Sequence, residues 1–149
     1  MLVDTNLLIR LLQPHHPLYR AADAAISALR SQNRPLYLVP QNLIELWTVT
    51  TRPIEANGLG LSTAAARAEI QRLERLFTVL PETPAIYPAW KRLVFENQVS
   101  GKQAYDARLV AAMQVHSVTS ILTFNPSDFR RYTGIWVFEP ATVAGSGGP

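Results

Sequence analysis

The chain opens Met1-Leu2-Val3-Asp4-Thr5-Asn6-Leu7-Leu8-Ile9-Arg10-Leu11-Leu12. Leu2 and Val3 form a short apolar run that stops at an acid, and the residues from Thr5 onward carry apolar side chains at helical spacing. This reads as a buried strand ending at Asp4 and passing directly into a helix. The pattern then repeats along the chain. Pro14 and Pro17 bracket a turn, and Leu18, Ala22, Ala25, Ile26 and Leu29 make one helical stripe. Residues 36–39 are a second strand, closed by Pro40 before a helix over 41–51 that Arg52-Pro53 ends.

After the loop Asn57-Gly58-Leu59-Gly60, Ser62 caps a helix whose inner stripe is Ala66, Ile70, Leu73 and Leu76. Residues 77–80 are a third strand. Thr83-Pro84 reads as a cap with proline at the first helical position, and Trp90, Leu93, Val94 and Asn97 as that helix's inner side. Residues 105–116 are a strong helix, 118–123 a strand, Asn125-Pro126-Ser127-Asp128 a turn into a short helical piece, and 135–138 the last strand. Short apolar strands alternating with amphipathic helices predict an α/β fold, with a central parallel sheet of 4–5 strands between helical layers. In such sheets ligands bind beyond the strands' carboxyl ends. Residues 1–140 read as one domain and the Gly-rich residues 141–149 as a flexible tail.

Composition bounds the rest. At 149 residues, 48% hydrophobic and 17% charged, the chain supports one folded core and lies far from disorder. With no cysteine it has no disulfide, thiolate metal site or cysteine nucleophile, and a reducing cytoplasm is compatible. Arg10, Glu45 and Arg108 break the apolar stretches, so no membrane span is expected, and Asp4 stands where an export signal would be basic. The net charge is +3, and 12 of the 14 bases are arginine.

Three carboxylates stand in apolar company. Asp4 ends Leu2-Val3, Glu45 lies within Leu43-Ile44-Glu45-Leu46-Trp47, and Asp106 shares a helical face with Leu109, Val110 and Met113. An ionised carboxylate withdrawn from water costs several kcal/mol, roughly, unless it is paired, protonated or bound to a cation. Arg10, Arg52 and Arg108 are poorly placed to pair with them. The economical partner is a hard divalent cation, Mg²⁺ or Mn²⁺ rather than zinc, because the donors are oxygen and His15, His16 and His116 are scattered. Thr123, Asn125 and Asp128 follow the fourth strand and offer more oxygen. Asn125 as a cap and Asp128 as a first-turn acid also account for that segment without metal. Trp47 and Tyr105 could stack on bases but read as core.

The chain resembles PIN-domain ribonucleases, most closely the VapC-type toxins of bacterial toxin–antitoxin pairs. The resemblance is carried in order by Val3-Asp4-Thr5-Asn6, Glu45, Tyr105-Asp106-Ala107 with Ala111-Ala112, and Thr123-Phe124-Asn125-Pro126-Ser127-Asp128-Phe129. It implies a three-layer α/β/α sandwich, Mg²⁺- or Mn²⁺-dependent endonuclease action on RNA, a homodimer and a small inhibitory antitoxin protein. By position, it makes Asp4, Glu45 and Asp106 the metal-binding core, supported by Asn6 and Thr123. Many family members have an acid where Asn125 stands, which leaves three roles for Asp128: to supply the missing carboxylate, to act through water, or to cap a helix. With those four acids screened by cations, the remainder carries +7, which suits an RNA backbone. Two other functions fit the same residues: a metal-dependent phosphohydrolase of small phosphate esters, and a non-catalytic RNA-binding domain. Against the first, the residue two after Asp4 is Asn6, not a second aspartate.

Overall fold

In the computed structural model, which describes residues 1–145, five short strands form one sheet: β1 (Leu2–Val3), β2 (Tyr37–Leu38), β3 (Thr78–Val79), β4 (Ser120–Leu122) and β5 (Trp136–Phe138). Their order is β3-β2-β1-β4-β5 and every pairing is parallel. The helices are α1 (Thr5–Leu11), α2 (Tyr19–Ser31), α3 (Pro40–Thr51), α4 (Thr63–Leu76), α5 (Ile86–Glu96), α6 (Gln103–Val115) and α7 (Pro140–Gly145).

Strand residues alternate between faces because successive side chains point to opposite sides of a sheet. Val3, Leu38 and Leu122 enter one core with Leu7, Leu8, Ile26, Leu29 and Leu73. Leu2, Val39 and Ile121 enter the other with Ile86, Leu93, Leu109, Val110 and Met113. The sheet is therefore covered on both faces, α1, α2 and α4 lying on one and α5 and α6 on the other. This is the α/β/α sandwich expected from the alternating pattern.

Two local expectations give way. Thr83 does not cap α5: the helix starts at Ile86 after a turn over Pro84 and Ala85, with the Ile86 N–H donating to the Thr83 carbonyl at 3.1 Å. A backbone turn replaces the side-chain cap, and the buried Thr83 hydroxyl has no hydrogen-bond partner. The start of the expected flexible tail is a packed helix. Pro140–Gly145 forms α7, whose Val143 is buried in the core beside Ala22, Ala25 and Ile26 of α2. Small residues suggested mobility there, but small residues also let a short helix approach α2 closely; residues 146–149 lie outside the described part. Val143→Asp is accordingly expected to destabilise the fold by about 2–4 kcal/mol, read as a lower urea midpoint. No change in midpoint would mean that α7 adds nothing to the core.

No helix among the described residues is long and apolar enough to cross a membrane.

Candidate active site

The carboxyl edge of the sheet is where the polar residues gather. β1 runs directly into Asp4, whose N–H donates to the Leu122 carbonyl at 3.0 Å, so the first acid is tied by backbone to the end of β4. Thr123 follows directly. Its hydroxyl donates to Asp4 Oδ2 at 2.6 Å and accepts from Asn6 Nδ2 at 3.0 Å. Asn6 Oδ1 accepts from the Phe124 N–H at 3.3 Å. Asp4 occupies the N-cap position of α1 but makes no side-chain capping bond. Its carboxylate, 8% exposed, reaches across the sheet edge to Thr123 and is also favoured by the backbone N–H groups of Thr5 and Asn6 at the start of α1.

α3 begins after β2 and brings Glu45 to the same edge. Both carboxylate oxygens are held, Oε2 by the Thr5 hydroxyl at 2.6 Å and Oε1 by Gln41 Nε2 at 2.7 Å. Thr5 is fixed in turn by Asn42, which is fully buried: Nδ2 donates to Thr5 Oγ1 at 3.1 Å and Oδ1 accepts from the Val39 N–H at 2.8 Å. Gln41 and Asn42 are site residues that the sequence does not single out, and Thr5, present there only within Val3-Asp4-Thr5-Asn6, has a role of its own. The available signal was a pair of amides at the start of a helix, one of them four residues before a candidate acid.

Asp106 lies in the first turn of α6 and Asp128 in a 3₁₀ turn, Pro126–Asp128. With Asp4, Glu45, Asn6 and Asn125 they line one cleft of about 550 Å³, whose walls include Ile9, Ile44, Thr48, Arg52 and Tyr105. All seven residues picked from the sequence meet here or, in the case of Thr123, bond directly to a residue that does. Asn125 makes no side-chain capping bond to the turn it precedes. Tyr105, 63% exposed, and Trp47, 38% exposed, are not core residues. A separate cleft of about 410 Å³ has a single acid, Asp23, alongside Arg30 and Arg72.

The electrostatics follow from this crowding. Burial pushes the Asp4 carboxyl up to about 6, with the Thr123 hydroxyl pulling it back and Glu45 adding to the rise. Asp106 is pushed up to about 7, first by burial, then by Asp128, Asp4 and Glu45, with Arg131 opposing. Among the described residues the ion pairs are Arg72 with Glu69 and Arg108 with Glu82, so none of the four acids is paired with a base.

The donor set therefore suits a hard divalent cation: several carboxylates, no nitrogen or sulfur, and uncompensated negative charge. Among the described residues no three acidic or histidine side chains are arranged as a finished chelate. The acids share the cleft and repel one another without closing on one point.

The sequence matches the PIN domain family over residues 1–135. No curated protein matches it at the sequence level. Among solved structures it is similar to VapBC2 from Rickettsia felis, bound to a DNA fragment from its promoter. The TM-score is 0.69 at 12% identity, covering 93% of this chain and 96% of that one. VapBC-1 from nontypeable Haemophilus influenzae gives 0.68 at 18% identity, covering 94% and 97%. VapC20 from Mycobacterium tuberculosis, a sarcin-ricin loop cleaving toxin, gives 0.58 at 22% identity, covering 80% and 85%.

Proposed function

The chain belongs to the PIN domain family, and from that premise we propose that it is a divalent-metal-dependent endoribonuclease, the toxin of a toxin–antitoxin pair. The observation that carries the reading is the cleft in which Asp4, Glu45, Asp106 and Asp128 face one another with no pairing base. Uncompensated acids in a fold are costly, and a cation that also meets a phosphodiester gives the cost a use.

Asp4, Glu45 and Asp106 would hold Mg²⁺ or Mn²⁺, with Asp128 as the fourth carboxylate. When bound, such an ion supplies Lewis acidity, making water a better nucleophile at neutral pH and offsetting charge at the reacting phosphate. The protein's own part is orientation. Thr123 and Asn6 set the rotation of the Asp4 carboxylate, and Thr5 and Gln41 hold the two oxygens of Glu45, so both acids are fixed in orientation where they line the cleft. Among the described residues that line the cleft none is a serine, cysteine or histidine, and attack by water calls for none.

The similar structures include VapBC assemblies, which supports a small antitoxin protein as partner, with both acting in the cytoplasm where their RNA target is made. Ile44, Ile54, Tyr87, Phe95 and Trp136 leave apolar surface that an antitoxin or a second copy in a homodimer would cover.

Purified protein incubated with total RNA is expected to cleave it with Mg²⁺ or Mn²⁺ and to stop when chelator is added. Cleavage that persists in chelator, or RNA binding with no metal-stimulated cleavage, would overturn the reading.

A further inference from the structure

Gln41 is 6% exposed and uses its whole amide. Nε2 donates to Glu45 Oε1 at 2.7 Å and to the Tyr105 carbonyl at 3.0 Å, while Oε1 accepts from Arg108 Nη1 at 3.0 Å. The amide cannot be turned over: its oxygen would then face two acceptors and its nitrogen would face a guanidinium. One side chain of α3 thus grips an acid on its own helix and, on α6, the carbonyl immediately before Asp106. Arg108 is drawn to the far side, where its Nη2 meets Glu82 at 2.8 Å.

We propose that Gln41 is a positioning residue that fixes the spacing of Glu45 and Asp106 for the divalent cation, and that its neutral amide keeps the Arg108 charge one step away from the acids. The inference rests on the metal-dependent reading above. Were Gln41 absent, Arg108 would be free to reach Glu45 itself, and a guanidinium on that carboxylate competes directly with a cation. Partners that orient metal ligands in this way typically change metal affinity or activity by about 10–100-fold when removed.

The test is calorimetric titration of Mn²⁺ into wild-type protein, Gln41→Met and Leu93→Ala, each with its thermal midpoint measured in chelator. Leu93 lies in the core of α5, away from the cleft, and reports what loss of stability alone does. Gln41→Met is expected to weaken Mn²⁺ binding by about 10-fold or more and to lower kcat for RNA more than it raises KM. Leu93→Ala is expected to bind Mn²⁺ as wild type does despite a lower midpoint. If Gln41→Met does not fold, Arg108→Lys takes its place. A compact ammonium loses the planar two-way contact to Gln41 and Glu82, and weaker Mn²⁺ binding is expected again. Wild-type Mn²⁺ affinity in the Gln41 or Arg108 variant, whatever its midpoint, overturns the inference and leaves the nuclease reading standing. Wild-type protein that binds no Mn²⁺ overturns both.

Discussion

Asp106→Asn is expected to lower the metal-stimulated RNA cleavage rate on the order of 10²–10³-fold, about 3–4 kcal/mol of transition-state stabilisation. Among the acids of the cleft, Asp106 is the one on which the others converge: Asp128, Asp4 and Glu45 all act on its carboxyl, in that order. The substitution keeps shape and removes one unit of charge, so a large loss of rate with unchanged far-UV circular dichroism isolates the charge as the cause. The pH dependence sharpens the expectation. In the cation-free protein the Asp106 carboxyl is pushed up to about 7, so below neutrality it holds a proton that a cation must displace. At limiting Mg²⁺ the cleavage rate should climb as pH rises through about 7. At saturating Mg²⁺ the same climb should move to lower pH, because the ion favours the charged form. Initial rates across pH at two metal concentrations check both statements. A variant retaining more than a tenth of the wild-type rate, or a profile that ignores metal concentration, would remove Asp106 from the centre of the site.

Why Asp4, Glu45 and Asp106 were visible in the sequence while Gln41 and Asn42 were not has a physical answer. An acid among apolar residues violates the pattern around it, and the violation can be seen locally. Leu2-Val3-Asp4 shows it within three residues, and the parallel sheet then dictates that the end of β1 lies beside the end of β4. Gln41 and Asn42 break no pattern, because amides are ordinary at the start of a helix. Besides local bonds to Glu45 and Val39, their roles depend on partners 37, 64 and 67 positions away, Thr5, Tyr105 and Arg108. Tyr105 was misread for a related reason. It is followed by Ala107 and by the buried residues Leu109, Val110, Ala111, Ala112 and Met113, in a helix apolar on nearly all sides. The first turn nevertheless projects past the sheet edge into the cleft. α7 escaped because composition pointed to a tail, whereas Pro140 at its start and Val143 three residues later place apolar groups on one helical face.

Asp4→Asn is expected to make the cation-free protein more stable and the cation-loaded protein less so. In the native state the buried Asp4 carboxyl is raised from the ordinary 3.8 to about 6. Between those values the folded chain holds a proton that the unfolded chain has released. Stability therefore falls as pH rises across that window, and the full cost is in place above about pH 6. The difference of about two pH units corresponds to about 2–3 kcal/mol. Asparagine removes the titration but keeps an oxygen to accept from the Thr123 hydroxyl, which donates at 2.6 Å in the wild type. At pH 8 in chelator the variant should melt higher by about 4–10 °C, and at pH 3.5 the two proteins should converge. Mn²⁺ at about 1,000 times its dissociation constant should reverse the order, since it then stabilises the wild type by about 4.1 kcal/mol, more than the cost of the buried charge, and has lost a carboxylate ligand in the variant. Equal melting at pH 8, or a gap that does not change with pH, would mean that Asp4 carries no uncompensated charge. Stability sacrificed at one buried acid and recovered only when a cation binds is what separates a metal site from a cap, and this comparison measures it without any RNA present.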